Sequence, residues 1–293
     1  MPNGPCGPQD VKPASRSRAG ENASGRPCLP GANRRWWAWL LLTVCIGLPG
    51  TGLAAAPILP AVSVGTLPHD PEAFTQGFLY HDGYFYESTG LYGHSSLRRV
   101  VPDTGRVLAQ RILPKEVFGE GLALVEGRLF QLTWKEGRVF VSKAADLTPA
   151  GAFPLEGEGW GACSLDDGRL AVSDGSDRLT FYDPAGFTRL GSVTVTDGDK
   201  PVDRLNELEA IAGAIWANVW GEKRIAVIDP ATGRVLAWVD CTALSPDVTA
   251  ANPDNVLNGI ACDATTGRIW VTGKRWPVIH EIRVPGLAAR MHR

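Results

Sequence analysis

Five stretches of this chain share one plan, and that plan leaves few folds open. Each enters on a polar or aromatic residue, runs as a short apolar strand, reverses at a glycine and returns as a second strand. The turn glycines are Gly83, Gly127, Gly168, Gly213 and Gly267, at intervals of 44, 41, 45 and 54 residues. The second copy is the most telling. It runs Phe118-Gly119-Glu120-Gly121-Leu122-Ala123-Leu124, turns at Glu126-Gly127 and returns as Arg128-Leu129-Phe130-Gln131-Leu132-Thr133-Trp134. Glu120 and Trp134 lie seven residues either side of the turn glycine, so an antiparallel hairpin brings them together at one rim.

A third strand follows each hairpin: Leu97–Val101, Val139–Ser142, Leu179–Tyr182, Ile225–Ile228 and Ile279–Val284. A fourth is visible at Val107–Leu113 and Val235–Val239. Four short strands in each self-similar unit are the signature of a β-propeller blade. The fifth unit stops after its third strand, whereas Ala61–Leu67 precedes the first as a strand without a hairpin. The expected fold is therefore all-β, a five-bladed β-propeller over residues 57–293, its ring closed by that N-terminal strand pairing with Ile279–Val284. The 34 Gly, 22 Pro and 10 Trp suit so turn-rich a chain.

The chain ahead of the propeller reads differently. Residues 1–33 are rich in Gly, Pro, Ser and Arg without periodicity and read as a disordered basic leader. Residues 34–56 have the order of a signal peptide: Arg34-Arg35, an apolar run from Trp36 to Leu48, a break at Pro49-Gly50 and the small residues Ala54-Ala55-Ala56. The run is too short for a comfortable membrane span of about 20 residues. Export to the periplasm or medium is the expectation, with a mature start near Pro57 and no stable membrane association after processing. Residues 1–56 hold six of the 29 Lys and Arg but two of the 31 Asp and Glu, which leaves the rest at −6. An acidic body argues against nucleic acid as a partner. Beyond the leader, Cys163, Cys241 and Cys262 form no metal-binding or disulfide spacing. Cys163 and Cys262, at matching strand positions, read as core residues.

In a propeller the first strands surround the central axis, so repeat-equivalent positions ring one mouth. The positions before the turns are Gln76, Glu120, Trp160, Asn206 and Asn258; those seven after them are Gly90, Trp134, Gly175, Trp220 and Lys274. A structural ring would repeat one residue type. This one holds an acid, a base, three amides and three tryptophans, the composition of a pocket with polar groups set in aromatic surface. Taken singly, the tryptophans read as packing, Glu120 and Lys274 as surface charges, and the asparagines as turn caps. Their register at one end is what argues for a site. The five histidines show no metal-ligand spacing, Gly93-His94-Ser95-Ser96-Leu97 is no nucleophile elbow, and no glycine-rich phosphate loop is present. A calcium-dependent lactonase propeller needs several axial acids; here the ring offers Glu120, with Glu207 or Glu209 in addition. Neither a metal nor an organic cofactor is expected.

Phe74-Thr75-Gln76-Gly77-Phe78, Phe118-Gly119-Glu120-Gly121, Gln131-Leu132-Thr133-Trp134-Lys135, Leu205-Asn206-Glu207-Leu208-Glu209 and Trp216-Ala217-Asn218-Val219-Trp220 resemble the motifs of the plant-type and bacterial glutaminyl cyclases. The resemblance runs from about Pro57 to about Pro285. It implies a five-bladed propeller that converts the N-terminal glutamine of peptides or proteins to pyroglutamate with release of ammonia, unrelated to the zinc-dependent animal enzymes. It further implies Glu120 as the catalytic acid/base, with Phe74, Gln76, Phe118, Trp134, Trp160, Asn206, Trp220 and Lys274 around the substrate. Phe74 and Phe118 are thereby added, two residues before ring positions. The residue types suit the reaction. Aromatic walls can hold a methylene chain in a near-attack geometry, a carboxyl can shuttle the amine proton, and the amides of Gln76 and Asn206 can hold the substrate amide or an oxyanion. The alternative is a non-catalytic propeller that binds peptide termini, which would keep the aromatic ring but gain nothing from a lone carboxylate among glycines.

Overall fold

The computed structural model describes residues 54–247 and 252–287, all within the compact unit Gly50–Arg293. The leader 1–33 and all but the last three residues of the segment 34–56 lie outside the described residues. Two strands precede the first hairpin, β1 (Ile58–Pro60) and β2 (Val62–Pro68). The first blade is β3 (Thr75–His81), β4 (Tyr84–Thr89), β5 (Ser96–Val100) and β6 (Val107–Ile112). The second is β7 (Gly119–Val125), β8 (Arg128–Thr133), β9 (Arg138–Lys143) and β10 (Pro149–Pro154). The third is β11 (Ala162–Ser164), β12 (Leu170–Ser173), β13 (Arg178–Asp183) and β14 (Thr188–Thr194), and a small hairpin follows, β15 (Thr196–Asp197) with β16 (Lys200–Pro201). The fourth is β17 (Leu205–Ile211), β18 (Ala214–Val219), β19 (Arg224–Ile228) and β20 (Val235–Asp240); the fifth is β21 (Leu257–Asp263), β22 (Arg268–Gly273) and β23 (Val278–Arg283). Each blade is an antiparallel meander, and the innermost strands touch in cyclic order, β3 to β7, β11, β17, β21 and back to β3.

The five turn glycines all have positive φ, between 71° and 86°. Asp82, Glu126 and Ala212, which precede three of them, are also left-handed. Two successive positive φ values define the tight hairpin turn whose twist matches its strands. The two blades without that pair close their first hairpin through longer loops, between Ser164 and Leu170 and between Asp263 and Arg268.

The inner strands are apolar on both faces because each face packs on a different blade. Leu79 packs toward the second blade with Leu122, whereas its neighbour Phe78 packs toward the fifth with Trp270. Leu122 and Ala123 divide in the same way between the first and third blades, and Ile260 and Ala261 between the fourth and first. The described residues thus form five apolar clusters, one per blade junction, the last joining blade five to blade one. Exposure rises outward: β7 is buried over most of its length, while β10 is almost wholly exposed.

The ring closes as the sequence implies, with one addition. β2 pairs antiparallel with β23, Leu67 opposite Ile279, and supplies the outer strand of the fifth blade. Just before it, β1 pairs parallel with β20 and gives the fourth blade a fifth strand. One segment thus covers the outer edges of two blades. Beyond β2, buried His69 bonds the Trp276 carbonyl at 2.6 Å through Nδ1 and Glu87 Oε1 at 3.0 Å through Nε2, which ties that segment to blades one and five. Deleting residues 57–67 should lower the melting temperature by roughly 10 °C or more, since each kcal/mol lost is worth about 2–4 °C in a domain of this size. Calorimetry checks this, and a deletion variant that melts with the parent would contradict the closure.

Candidate active site

The axis of the propeller is crowded. A Cβ on Gly77 would lie 2.5 Å from the Leu122 nitrogen, and one on Gly121 would lie 2.6 Å from the Ala162 nitrogen. Each glycine directly follows a ring residue, as Gly161 and Gly259 do in blades three and five. In blade four that place belongs to Glu207, whose side chain enters the space the glycines leave. Its two oxygens accept the backbone N–H groups of Phe78 at 3.2 Å and Ile260 at 2.9 Å, in blades one and five.

The ring residues themselves sit at irregularities of the first strands. The register of β3 against β4 shifts between Thr75 and Gly77, that of β7 against β8 between Gly119 and Leu122, that of β17 against β18 between Leu205 and Leu208, and that of β21 against β22 between Leu257 and Ile260. Gln76, Glu120, Asn206 and Asn258 therefore lie at bulges, which re-aim a side chain out of the pleat. In the third blade, Trp160 and Gly161 precede the short β11. Below each bulge the hairpin is pinned by a recurring bond. The N–H groups of Gly90, Trp134, Trp220 and Lys274 donate to the carbonyls of Phe74, Phe118, Arg204 and Val256.

The result is a cavity of about 390 Å³ lined by Phe74, Gln76, Leu91, Phe118, Glu120, Trp134, Trp160, Asn206, Trp220, Asp254 and Lys274. Every residue named from the sequence for catalysis or substrate contact is in it. Asn258, Gly90 and Gly175 of the ring are not. The glycines lie against pocket rings, Gly90 against Phe118 and Gly175 against Trp160, where any side chain would collide with the aromatic. Leu91 and Asp254 were not legible in the repeat. Leu91 holds φ at 89°, a conformation that costs an L residue about 1–3 kcal/mol.

Phe74, Phe118 and Trp134 form a continuous edge-to-face wall, with ring centroids 6.2 Å and 5.5 Å apart. Trp220 is 40% exposed and marks the opening. At the base, buried Glu120 accepts a 2.9 Å bond from Gln76 Nε2, and Asn258 Nδ2 donates to Gln76 Oε1 at 3.2 Å. Gln76 is thus anchored between Asn258 and Glu120 rather than presented free to the cavity. Asn206 lines the cavity, and its Oδ1 is buried without a hydrogen-bond partner.

Burial pushes the Glu120 carboxyl well above its ordinary range; Lys274 opposes the shift, and the more distant Glu136 and Glu158 add to it. Burial likewise lowers Lys274, against the attraction of Glu120 and Asp254. The Lys274 Nζ lies over the Phe74 ring, 4.8 Å from its centroid.

Glu207 and Glu209 take no place in this pocket. Glu209 accepts the Cys262 N–H at 3.0 Å and faces a second cavity, of about 380 Å³, at the turn end of the axis. No group of three or more His, Cys, Asp and Glu among the described residues could hold a metal ion.

The fold and site together define a five-bladed propeller whose axial mouth holds a buried carboxyl, a buried lysine and a wall of aromatic rings. Residues 38–284 match the model of the glutamine cyclotransferase family, and the chain belongs to that family. It is 39% identical over 232 residues to the glutaminyl-peptide cyclotransferase of Arabidopsis thaliana, covering 78% of this chain and 72% of that protein. Its fold is similar to the crystal structure of Myxococcus xanthus glutaminyl cyclase, with a TM-score of 0.73 and 39% identity, over 78% of this chain and 98% of that one.

The buried carboxyls have a consequence for stability. Burial raises Glu209 to about 8, against the backbone N–H groups of Cys262 and Ala210. The folded state therefore holds a proton that the unfolded chain releases near pH 4.5. The stability this contributes is complete below that pH and is lost as pH rises through about 8. Melting temperature should decline between pH 5 and 8, and Glu209→Gln should flatten the decline. An identical slope in the variant would refute this role.

Proposed function

We propose that this chain converts the N-terminal glutamine of peptides and proteins to pyroglutamate, with Glu120 as general acid/base. Family membership and the two relatives support the activity. The observation that carries the assignment of Glu120 is its placement: a buried carboxyl in an aromatic pocket, raised by that burial well above its ordinary range.

The reaction is intramolecular. The substrate's α-amine nitrogen attacks the carbonyl carbon of its own side-chain amide, a C–N bond forms, and the amide C–N bond breaks to release ammonia. One proton must pass from the attacking nitrogen to the departing one. Glu120 takes it from the first and delivers it to the second, which requires a carboxyl that exchanges protons readily with an amine. Gln76 and Asn258 hold that carboxyl in place. The unpartnered Asn206 Oδ1 accepts an N–H of the substrate. Phe74, Phe118, Trp134, Trp160 and Trp220 enclose the methylene chain and convert its rotations into the folded, ring-closing conformer. Lys274, kept near Phe74, limits how far the Glu120 carboxyl is raised. A propeller that merely bound peptide termini would have no use for a carboxyl so poised.

Glu120→Gln keeps size and polarity but removes proton transfer. Turnover of a Gln-initiated peptide should fall by roughly 10²–10⁴-fold with KM within a few-fold of the parent. Trp134→Ala and Trp220→Ala should raise KM as well as lower kcat. Mass spectrometry of the peptide, which loses one ammonia, reads both. A Glu120→Gln variant with near-normal kcat would end the assignment.

A further inference from the structure

Position two before the ring residue carries Phe74 in the first blade, Phe118 in the second and Glu158 in the third. The first two are aromatic walls of the pocket. The third is a carboxylate, and blades four and five carry Arg204 and Val256 there. One oxygen of it, Oε2, accepts the indole N–H of Trp134 at 2.8 Å and the indole N–H of Trp160 at 3.0 Å. Trp134 belongs to blade two and Trp160 to blade three, so a single atom ties together wall residues from two blades. The other oxygen lies 3.7 Å from Lys135 Nζ, and that ammonium sits over the Trp134 ring, 3.8 Å from its centroid. Trp134 is thus held at its edge by Glu158 and covered on one face by Lys135.

We propose that Glu158 is a positioning residue of the cyclisation reaction, one carboxylate oxygen that locks the indoles of Trp134 and Trp160 in the orientation that encloses the substrate. The proposal rests on the function assigned above. Neither tryptophan is fully buried, and without a shared acceptor each indole N–H would turn to water and free the ring to rotate. Hydrogen bonds to an ionised acceptor are the stronger kind. Burial disfavours ionisation of Glu158, but the two indoles and Lys135 outweigh it and hold the carboxyl below its ordinary range, so the ionised form prevails at neutral pH. The same charge adds to the raised state of Glu120. That is a second way for Glu158 to act, and the test must separate the two.

Glu158→Ala removes both the acceptor and the charge, whereas Glu158→Gln removes the charge and retains an acceptor oxygen. If Glu158 positions the indoles, the alanine variant should raise KM for a Gln-initiated peptide by about ten-fold, the worth of one or two hydrogen bonds, and lower kcat less. The glutamine variant should recover most of that loss. Tryptophan emission and near-ultraviolet circular dichroism should change in Glu158→Ala and return toward the parent in Glu158→Gln, with little change in melting temperature. If instead both variants lose activity alike, and the acid limb of kcat/KM moves to lower pH in both, Glu158 acts through its charge on Glu120 and the positioning role is overturned. The spectroscopic arm needs no turnover. An alanine variant with parental tryptophan spectra overturns the proposal whatever the activity, and a parent that fails to cyclise any Gln-initiated peptide overturns the functional reading instead.

Discussion

Everything in this molecule is arranged around the narrowness of its axis. Five innermost strands meet there, and at one level of the ring four of them leave no room for a Cβ. Four blades meet that limit with glycine, at positions 77, 121, 161 and 259. The fourth blade places Glu207 at the same level, and its carboxyl spans the gap to accept backbone N–H groups of blades one and five. One acid thereby serves as a cross-brace for three blades. Burial, and then repulsion from Glu209, push that carboxyl well above the ordinary range. Such a group costs stability unless its hydrogen bonds are made, and here they are.

The crowding also shapes the pocket. In four blades, three that carry the glycine and the fourth that carries Glu207, the first strand bulges at the ring residue. Bulging turns Gln76, Glu120 and Asn206 from the pleat into the mouth of the axis. The floor of the site is therefore made of inner-strand residues held by the whole ring, and its walls come from the ends of the hairpins. Glu120 is buried because the ring closes over it, and its burial is what shifts its carboxyl. The path from the packing of five strands to a buried, shifted carboxyl has few steps.

Much of this was legible in the chain. The turn glycines announced the blades, and the missing fourth strand of the last unit announced closure by Ala61–Leu67, found as β2. The register of the repeat pointed to seven of the nine named residues that line one cavity, and the family resemblance added Phe74 and Phe118. What stayed hidden was three-dimensional in origin. The pairing of β1 with β20 involves three residues with no repeat signal. The bulges leave no mark in a seven-residue offset, so the ring looked like ten equal positions, whereas Asn258 supports Gln76 from beneath and Gly90 and Gly175 accommodate aromatic rings. Leu91 and Asp254 reach the pocket from connecting loops, where periodicity carries no information. Glu158 occupies the register of Phe74 and Phe118, but Arg204 and Val256 share that register, so the repeat alone did not single it out.

Burial in the ring raises the Glu120 carboxyl well above the ordinary range, and the proposed reaction uses that carboxyl to carry the proton. The most direct measurement is an infrared-difference titration of the Glu120 carboxyl, identified by its loss in Glu120→Gln, set beside the acid limb of kcat/KM for the parent. The account predicts that the carboxyl titrates well above 4.5 and that the kinetic limb follows it. A Glu120 carboxyl fully ionised at the pH of an ordinary glutamate, with a kinetic limb elsewhere, would contradict it.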